Sequence, residues 1–217
     1  MKGRRKQFLV LGLGRFGLSV ASQLSKLGHE VLAVDSNEEL VEEAAGKVTQ
    51  AVQADATDEA ALQELGIGDF DAAVVAIGSN VRDSILITVL CKEAGVPLVV
   101  AKAVDELHAK VLRKVGADRV VFPERDMGAR LARMLDTPNI LELMELAEDY
   151  QIAEAVAPAD WCGRTLAQCN VRQDYGLSVM GVRRGTEFTV SPGADFLIHE
   201  GDVLLVLGRK RDVESIG

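Results

Sequence analysis

Residues 72–77, Ala-Ala-Val-Val-Ala-Ile, are a strand-length run without a single polar position, and a strand of that kind needs cover on both faces. Further strands are expected at 8–11, 31–34, 48–54, 98–101 and 119–122. Between them lie segments with helical spacing at 15–27, 38–45, 59–65, 82–94, 106–115 and 125–135; the first aligns Phe16, Val20, Leu24 and Leu27. Gly28 supplies the left-handed residue that ends this helix, and Ser36 or Asn37 can cap the next. Continuous apolar strands alternating with amphipathic helices predict an α/β fold, a Rossmann-type doubly wound parallel sheet.

The pattern changes after Asp136-Thr137-Pro138-Asn139. Residues 140–144 read as a short connecting helix or extended arm. Strands are expected at 152–156, 178–183, 188–190 and 203–207, with Gly163, Gly176, Gly185, Pro192-Gly193 and Gly201-Asp202 as turns. Strands that follow one another with little helix between predict a small α+β domain. The expected organisation is therefore a first domain over 1–136, a connector over 137–150 and a second domain over 151–217.

The first strand runs directly into Val10-Leu11-Gly12-Leu13-Gly14-Arg15-Phe16-Gly17. This fits G-x-G-x-x-G at a strand-to-helix turn. Gly12 permits the tight turn, Gly14 lets backbone approach a phosphate, and Gly17 lets the helix pack close to the sheet. The helix N-terminus then presents unpaired N–H groups and a positive dipole end to an anion. The pattern alone is weak, but Asp35 ends the second strand about 20 residues on, where a carboxylate accepts ribose hydroxyls and disfavours a 2′-phosphate. Arg15 lies inside the loop, where a guanidinium can meet phosphate oxygens in pairs; an exposed first-turn arginine is the plainer alternative. Such a charge suits a triphosphate without excluding a dinucleotide.

Charge and composition narrow the classes. A formal net charge of −9 argues against nucleic acid as partner. The basic run at 2–6 reads as a solvated leader. Nothing reaches the roughly 18–20 apolar residues of a membrane span. The apolar stretch 8–13 is interrupted by glycines and Arg15 and precedes no small-residue cleavage site. The chain reads as cytoplasmic, with any membrane role acting through a partner. Cys91, Cys162 and Cys169 lack metal-ligand spacing; Cys91 reads as a buried thiol, and Cys162 with Cys169 as a reduced pair.

A nucleotide fold raises the alternative of an NAD-dependent oxidoreductase, which needs an acid/base group and a substrate pocket. His29 falls in a turn at the wrong end of a parallel sheet, His108 on a surface helix and His199 in a late turn. All three read as solvated or structural. No activated serine, cysteine or paired carboxylates appear. A third alternative, a module with a vestigial site, sits poorly with intact Gly12, Gly14, Gly17 and Asp35. Regulation is favoured over catalysis.

Several ordered segments carry a family resemblance: Gly12-Leu-Gly-Arg-Phe-Gly17, Gly28-His-Glu-Val-Leu-Ala-Val-Asp35, Asp55-Ala-Thr-Asp-Glu59, Ala76-Ile-Gly78, Ala101-Lys102 and Gly116-Ala-Asp-Arg-Val-Val-Phe-Pro-Glu-Arg-Asp-Met-Gly128. Together with Asn170-Val-Arg172, Tyr175-Gly176 and Gly201-Asp202, the chain resembles the RCK (regulator of K+ conductance) subunits of Ktr and Trk potassium-uptake systems, the KtrA type most closely. The resemblance implies a first domain that binds ATP or ADP, with NAD(H) a less favoured ligand. It implies dimers assembled into an octameric ring at the inner face of the membrane, on a channel subunit of KtrB or TrkH type. By position, Gly12, Gly14, Arg15 and Gly17, with Phe16 in the same loop, would hold phosphates and Asp35 the ribose. Asn37, Asp55, Ala56, Thr57, Ile77 and the adjoining Gly78 would surround the nucleoside, and Lys102 would lie near the phosphates. Glu124 would help hold Mg2+ or Ca2+ at a dimer interface when ATP is bound, with phosphate oxygens completing the shell, although its plainer role is an acid at a helix start. The second domain would bind cyclic di-AMP through Leu166, Asn170, Val171, Arg172, Tyr175 and Pro192. Its Ser191-Pro192-Gly193-Ala194 lacks the second proline expected after the first. A turn and dimer-packing surface is the alternative for that cluster.

Overall fold

A computed structural model describes residues 4–216. The basic run expected at 2–6 lies partly outside the described residues; within them, Arg5 pairs with Glu30 at 3.5 Å. The chain divides into two compact units between Asp126 and Met127. The division falls inside a helix, Pro123–Asp136, rather than at the expected 136/137 break. Helical spacing is a local signal and carries no information about where long-range contacts change.

In the first unit, strands β1 (Gln7–Leu11), β2 (Glu30–Asp35), β3 (Gln50–Gln53), β4 (Ala72–Val75), β5 (Val99–Lys102) and β6 (Arg119–Val121) alternate with helices. These are α1 (Arg15–Lys26), α2 (Glu38–Ala45), α3 (Glu59–Glu64), α4 (Val81–Glu93), α5 (Glu106–Lys114) and α6 (Pro123–Asp136). Short polar side chains start the helices: Asn37, Asp58, Asn80 and Asp105 each accept a first-turn N–H. The strands form one parallel sheet in the order β3-β2-β1-β4-β5-β6. Successive side chains of β1 divide between the two faces. Leu9 and Leu11 pack with Val34, Val75 and Ile87 on one side, and Val10 packs with Ala33, Val74 and Ala76 on the other. Leu11 is level with both Val34 and Val75, so the carboxyl ends of β1, β2 and β4 finish together. The strand order reverses between β1 and β4, where open α/β sheets leave a crevice.

The second unit holds an antiparallel sheet in the order β10-β9-β11-β8-β7. Its strands are β7 (Ile140–Ala147), β8 (Tyr150–Val156), β9 (Ser178–Arg184), β10 (Glu187–Val190) and β11 (Val203–Arg209). Helices α7 (Leu166–Cys169), α8 (Val171–Asp174) and α9 (Lys210–Glu214) are short. The segment expected as a connecting helix or arm is β7, paired along its length with β8. Its residues, Ile-Leu-Glu-Leu-Met-Glu-Leu-Ala, are mostly good helix formers, and cross-strand pairing overrides that preference. Trp161, Leu177, Ile198, Leu204 and Val206 fill the core. At the β9 end, Arg184 meets the fully buried Asp202 through two bonds of 2.7 Å.

Candidate functional site

At the head of β1, Gly12 adopts φ +95°, and its N–H donates to the Val34 carbonyl at 2.8 Å. A Cβ on Gly12 would stand 2.9 Å from the Ile77 side chain, and one on Gly17 only 1.8 Å from the Gly12 carbonyl oxygen. Gly14 differs from both. It has φ −59°, and a Cβ there would meet nothing within 4 Å. Two glycines therefore keep the loop tight against the sheet, and the third keeps open space in front of the α1 N-terminus. Arg15 is exposed at that same end.

Asp35 braces the loop from the end of β2. Its Oδ2 accepts the Leu13 N–H at 2.6 Å and its Oδ1 the Asn37 N–H at 2.9 Å. The carboxylate is half-buried and pre-oriented by backbone donors. One cavity of about 160 Å3 brings Gly12, Asp35, Asp55, Ala56, Thr57 and Ile77 together. The Thr57 hydroxyl donates to Asp55 at 2.7 Å and its N–H at 2.9 Å, and these bonds hold the Asp55 carboxyl below the usual range.

The remaining expected residues of the first unit do not line this cavity. Asn37 accepts the Glu39 N–H as the α2 cap. Phe16, half-buried, packs against the core beneath α1. Gly78 leaves room for Lys102, whose Nζ would lie 3.2 Å from a Cβ at that position. Lys102 Nζ in turn pairs with Glu124 Oε1 at 2.5 Å. That hydrogen bond, with smaller contributions from the charges of Lys102 and Arg15, lowers the Glu124 pKa. Glu124 is thus committed to a lysine. Among the described residues no group of three His, Cys, Asp or Glu side chains is placed to hold a metal ion.

Ser36, Ser79 and Asp83 also line the cavity, and none was expected from the sequence. Ser79 and Asp83 follow β4, the strand beyond the reversal, and that position in the fold was the signal available for them.

The second unit has its own cavity of about 470 Å3, lined in part by Leu166, Asn170, Val171, Arg172 and Pro192. Asn170 joins α7 to α8 in left-handed geometry, φ 49°, and donates to Asp174 at 2.9 Å. Tyr175 does not line this cavity; it packs edge-on against Trp161 at 4.9 Å, in the core.

The histidines lie elsewhere. His29, just before β2, accepts the Lys6 N–H at 3.4 Å and packs on Phe8. His199 is exposed, and its N–H donates to Asp202. His108 corrects the expectation of a surface position, since α5 turns it inward to 2% exposure. Cys91 is buried too, and desolvation pushes its thiol up to about 12. No helix among the described residues is long and apolar enough to cross a membrane.

Residues 8–123 match the TrkA-N domain family and residues 152–217 the TrkA-C domain family. The Ktr system potassium uptake protein C of Bacillus subtilis (strain 168) is 44% identical over 209 residues, covering 96% of this chain and 95% of its own. Protein A of the same system and strain is 42% identical over 211 residues, covering 97% and 95%. Among solved structures, the GsuK RCK domain matches with a TM-score of 0.67 at 21% identity. That match covers 99% of this chain and 48% of the other, about half its length, and it supports the fold.

Proposed function

The chain belongs to the RCK family of Ktr-type potassium-uptake proteins, built from a TrkA-N and a TrkA-C domain, and from that premise we propose a nucleotide-sensing regulatory subunit of a potassium-uptake system. It works by binding and not by catalysis. Its ligand in the first unit is ATP or ADP. Its target is a membrane channel subunit of KtrB or TrkH type, to which a ring of copies, an octamer by family analogy, attaches from the cytoplasmic side.

The observation that carries this reading is the loop braced by Asp35, with Gly14 facing open space. A pyrophosphate there meets the N–H groups that begin α1, and a ribose meets Asp35 across the cavity. Asp55, Ala56, Thr57 and Ile77 are at hand for the rest of the nucleoside. Lys102 and Arg15 stand on the phosphate side. In the free chain Lys102 is neutralised by Glu124. A terminal phosphate competes with that carboxylate for the ammonium, so binding exchanges one anion for another and releases Glu124 for other contacts. ATP makes this exchange further than ADP does, and only such a difference in affinity between states can shift a conformational equilibrium.

The second cavity, with Arg172 beside apolar Leu166, Val171 and Pro192, suits a ligand with phosphate and a flat base; cyclic di-AMP is the ligand we assign to it. Calorimetric titration with ATP, ADP, NAD+ and NADH tests the first-unit reading. ATP and ADP should bind more tightly than either dinucleotide. Preference for NADH, with hydride transfer to an added substrate, would replace the sensor by an oxidoreductase.

A further inference from the structure

The buried imidazole of His108 has no part in the contacts described for the nucleotide cavity, yet it holds Val104 in the turn that follows Lys102, the last residue of β5. Its Nδ1 accepts the Val104 N–H at 3.4 Å, which requires that nitrogen to be unprotonated and places the neutral ring's proton on Nε2. Nε2 has no partner among the described residues, although it is fully buried. The His108 N–H donates to Asp105 Oδ1 at 2.7 Å, so residues 104 to 108 close on themselves through both the side chain and the backbone of one histidine. Two residues upstream of Val104 is Lys102, and both side chains lie against Gly78: a Cβ there would be 3.2 Å from Lys102 Nζ and 3.6 Å from Val104 Cγ1.

We propose that His108 is a positioning residue for the phosphate side of the first-unit site, latching the Lys102–Val104 segment while its ring is neutral and releasing it on protonation. A proton on Nδ1 turns an acceptor into a donor facing the donor N–H of Val104, and that bond is lost. The charged ring would also sit in the first turn of α5, at the positive end of the helix. The charged group acting on it is Asp105, on its own turn, which favours the charged form. The buried side chains of α4, which packs on α5, are Ser84, Ile87, Thr88, Leu90 and Cys91, all uncharged at neutral pH; β6 adds the half-buried Val120 and Val121, with Arg119 exposed. Desolvation outweighs Asp105, and the His108 pKa lies below its ordinary 6.5. The unfolded chain therefore takes up the proton first, and the latch contributes stability that is present above pH 6.5 and lost as pH falls below it.

The inference rests on the nucleotide reading of the site, and its test separates the two. Nitrogen-detected NMR of the full chain reads the His108 tautomer directly, while the amide signals of Lys102, Ala103 and Val104 are followed from pH 8 to pH 5. Calorimetry measures ATP binding over the same range in the wild type and in His108→Asn, whose Oδ1 stands near the Nδ1 position and does not titrate. The wild type should show Nε2–H at pH 8, amide shifts that follow the His108 titration, and ATP affinity falling up to about tenfold per pH unit below the His108 pKa. His108→Asn should bind ATP as the wild type does at pH 8 and lose this fall beyond the part set by ATP's own phosphate. An Nδ1–H tautomer, or amides of residues 102–104 that ignore the His108 titration, would overturn the latch even if the variant fails to fold. Equal pH profiles in a folded variant would do the same. Absence of ATP binding at every pH would reject the nucleotide reading alone, since the NMR readout needs no ligand.

Discussion

At the scale of single residues the three loop glycines look alike in sequence and differ in what they tolerate. Gly17 has no room for a methyl group, because its Cβ would fall on the Gly12 carbonyl. Gly14 has room, but the room is the space assigned to phosphate. Gly17→Ala should cost about 2–4 kcal/mol in urea unfolding through overpacking. Gly14→Ala should leave stability within about 0.5 kcal/mol and weaken ATP binding, as calorimetry on the folded variant would reveal. Arg15→Ala should shrink the ATP-over-ADP preference by about tenfold, the worth of one charge-assisted hydrogen bond; an unchanged ratio would leave Arg15 a surface residue. The glycines and Asp35 were legible because G-x-G-x-x-G and a strand-end acid are local patterns. His108 shares the buried side of α5 with Ala109 and Leu112, a spacing the sequence carries, and the polarity of histidine obscured it.

Elements add what pairs of residues decide. Strands β1, β2 and β4 end level with one another, and that register places Gly12, Asp35 and Ile77 around one cavity. In the second sheet, Asp202 plays the corresponding bracing role at the turn before β11. Buried and paired with Arg184, it also accepts the His199 N–H at 2.8 Å. Its pKa is lowered first by the Arg184 bond, so the folded form holds the carboxylate more firmly than the unfolded chain does. The associated stability is present above the ordinary value of 3.8 and is lost as pH falls below it. Asp202→Ala should destabilise the second unit by about 2 kcal/mol at pH 7 and flatten the acid limb of its thermal stability, measurable by calorimetric scans from pH 7 to pH 3. Strand β7 lies at the other edge of that sheet. Its helix-forming composition made the local pattern misleading, and only the β8 partner settles its state.

For the whole molecule, the two units have separate cores, and the two candidate ligand cavities lie one in each. Arg172→Ala should therefore abolish or weaken cyclic di-AMP binding by tenfold or so, the worth of a phosphate contact, and leave the ATP titration unchanged. Loss of both would point to misfolding and would be visible in the thermal melt. The sequence by itself determined the doubly wound first domain, its glycine loop with Asp35 and the strand-rich second domain, because each is written in spacing along the chain; the family came from the resemblance of its ordered segments. Tertiary structure alone decided that Glu124 is held by Lys102, that Phe16 and Tyr175 pack against cores and that β7 is a strand. Those outcomes depend on which distant side chain or strand arrives as a neighbour, and burial, charge pairing and cross-strand bonding outweigh the weak preferences of the residues themselves.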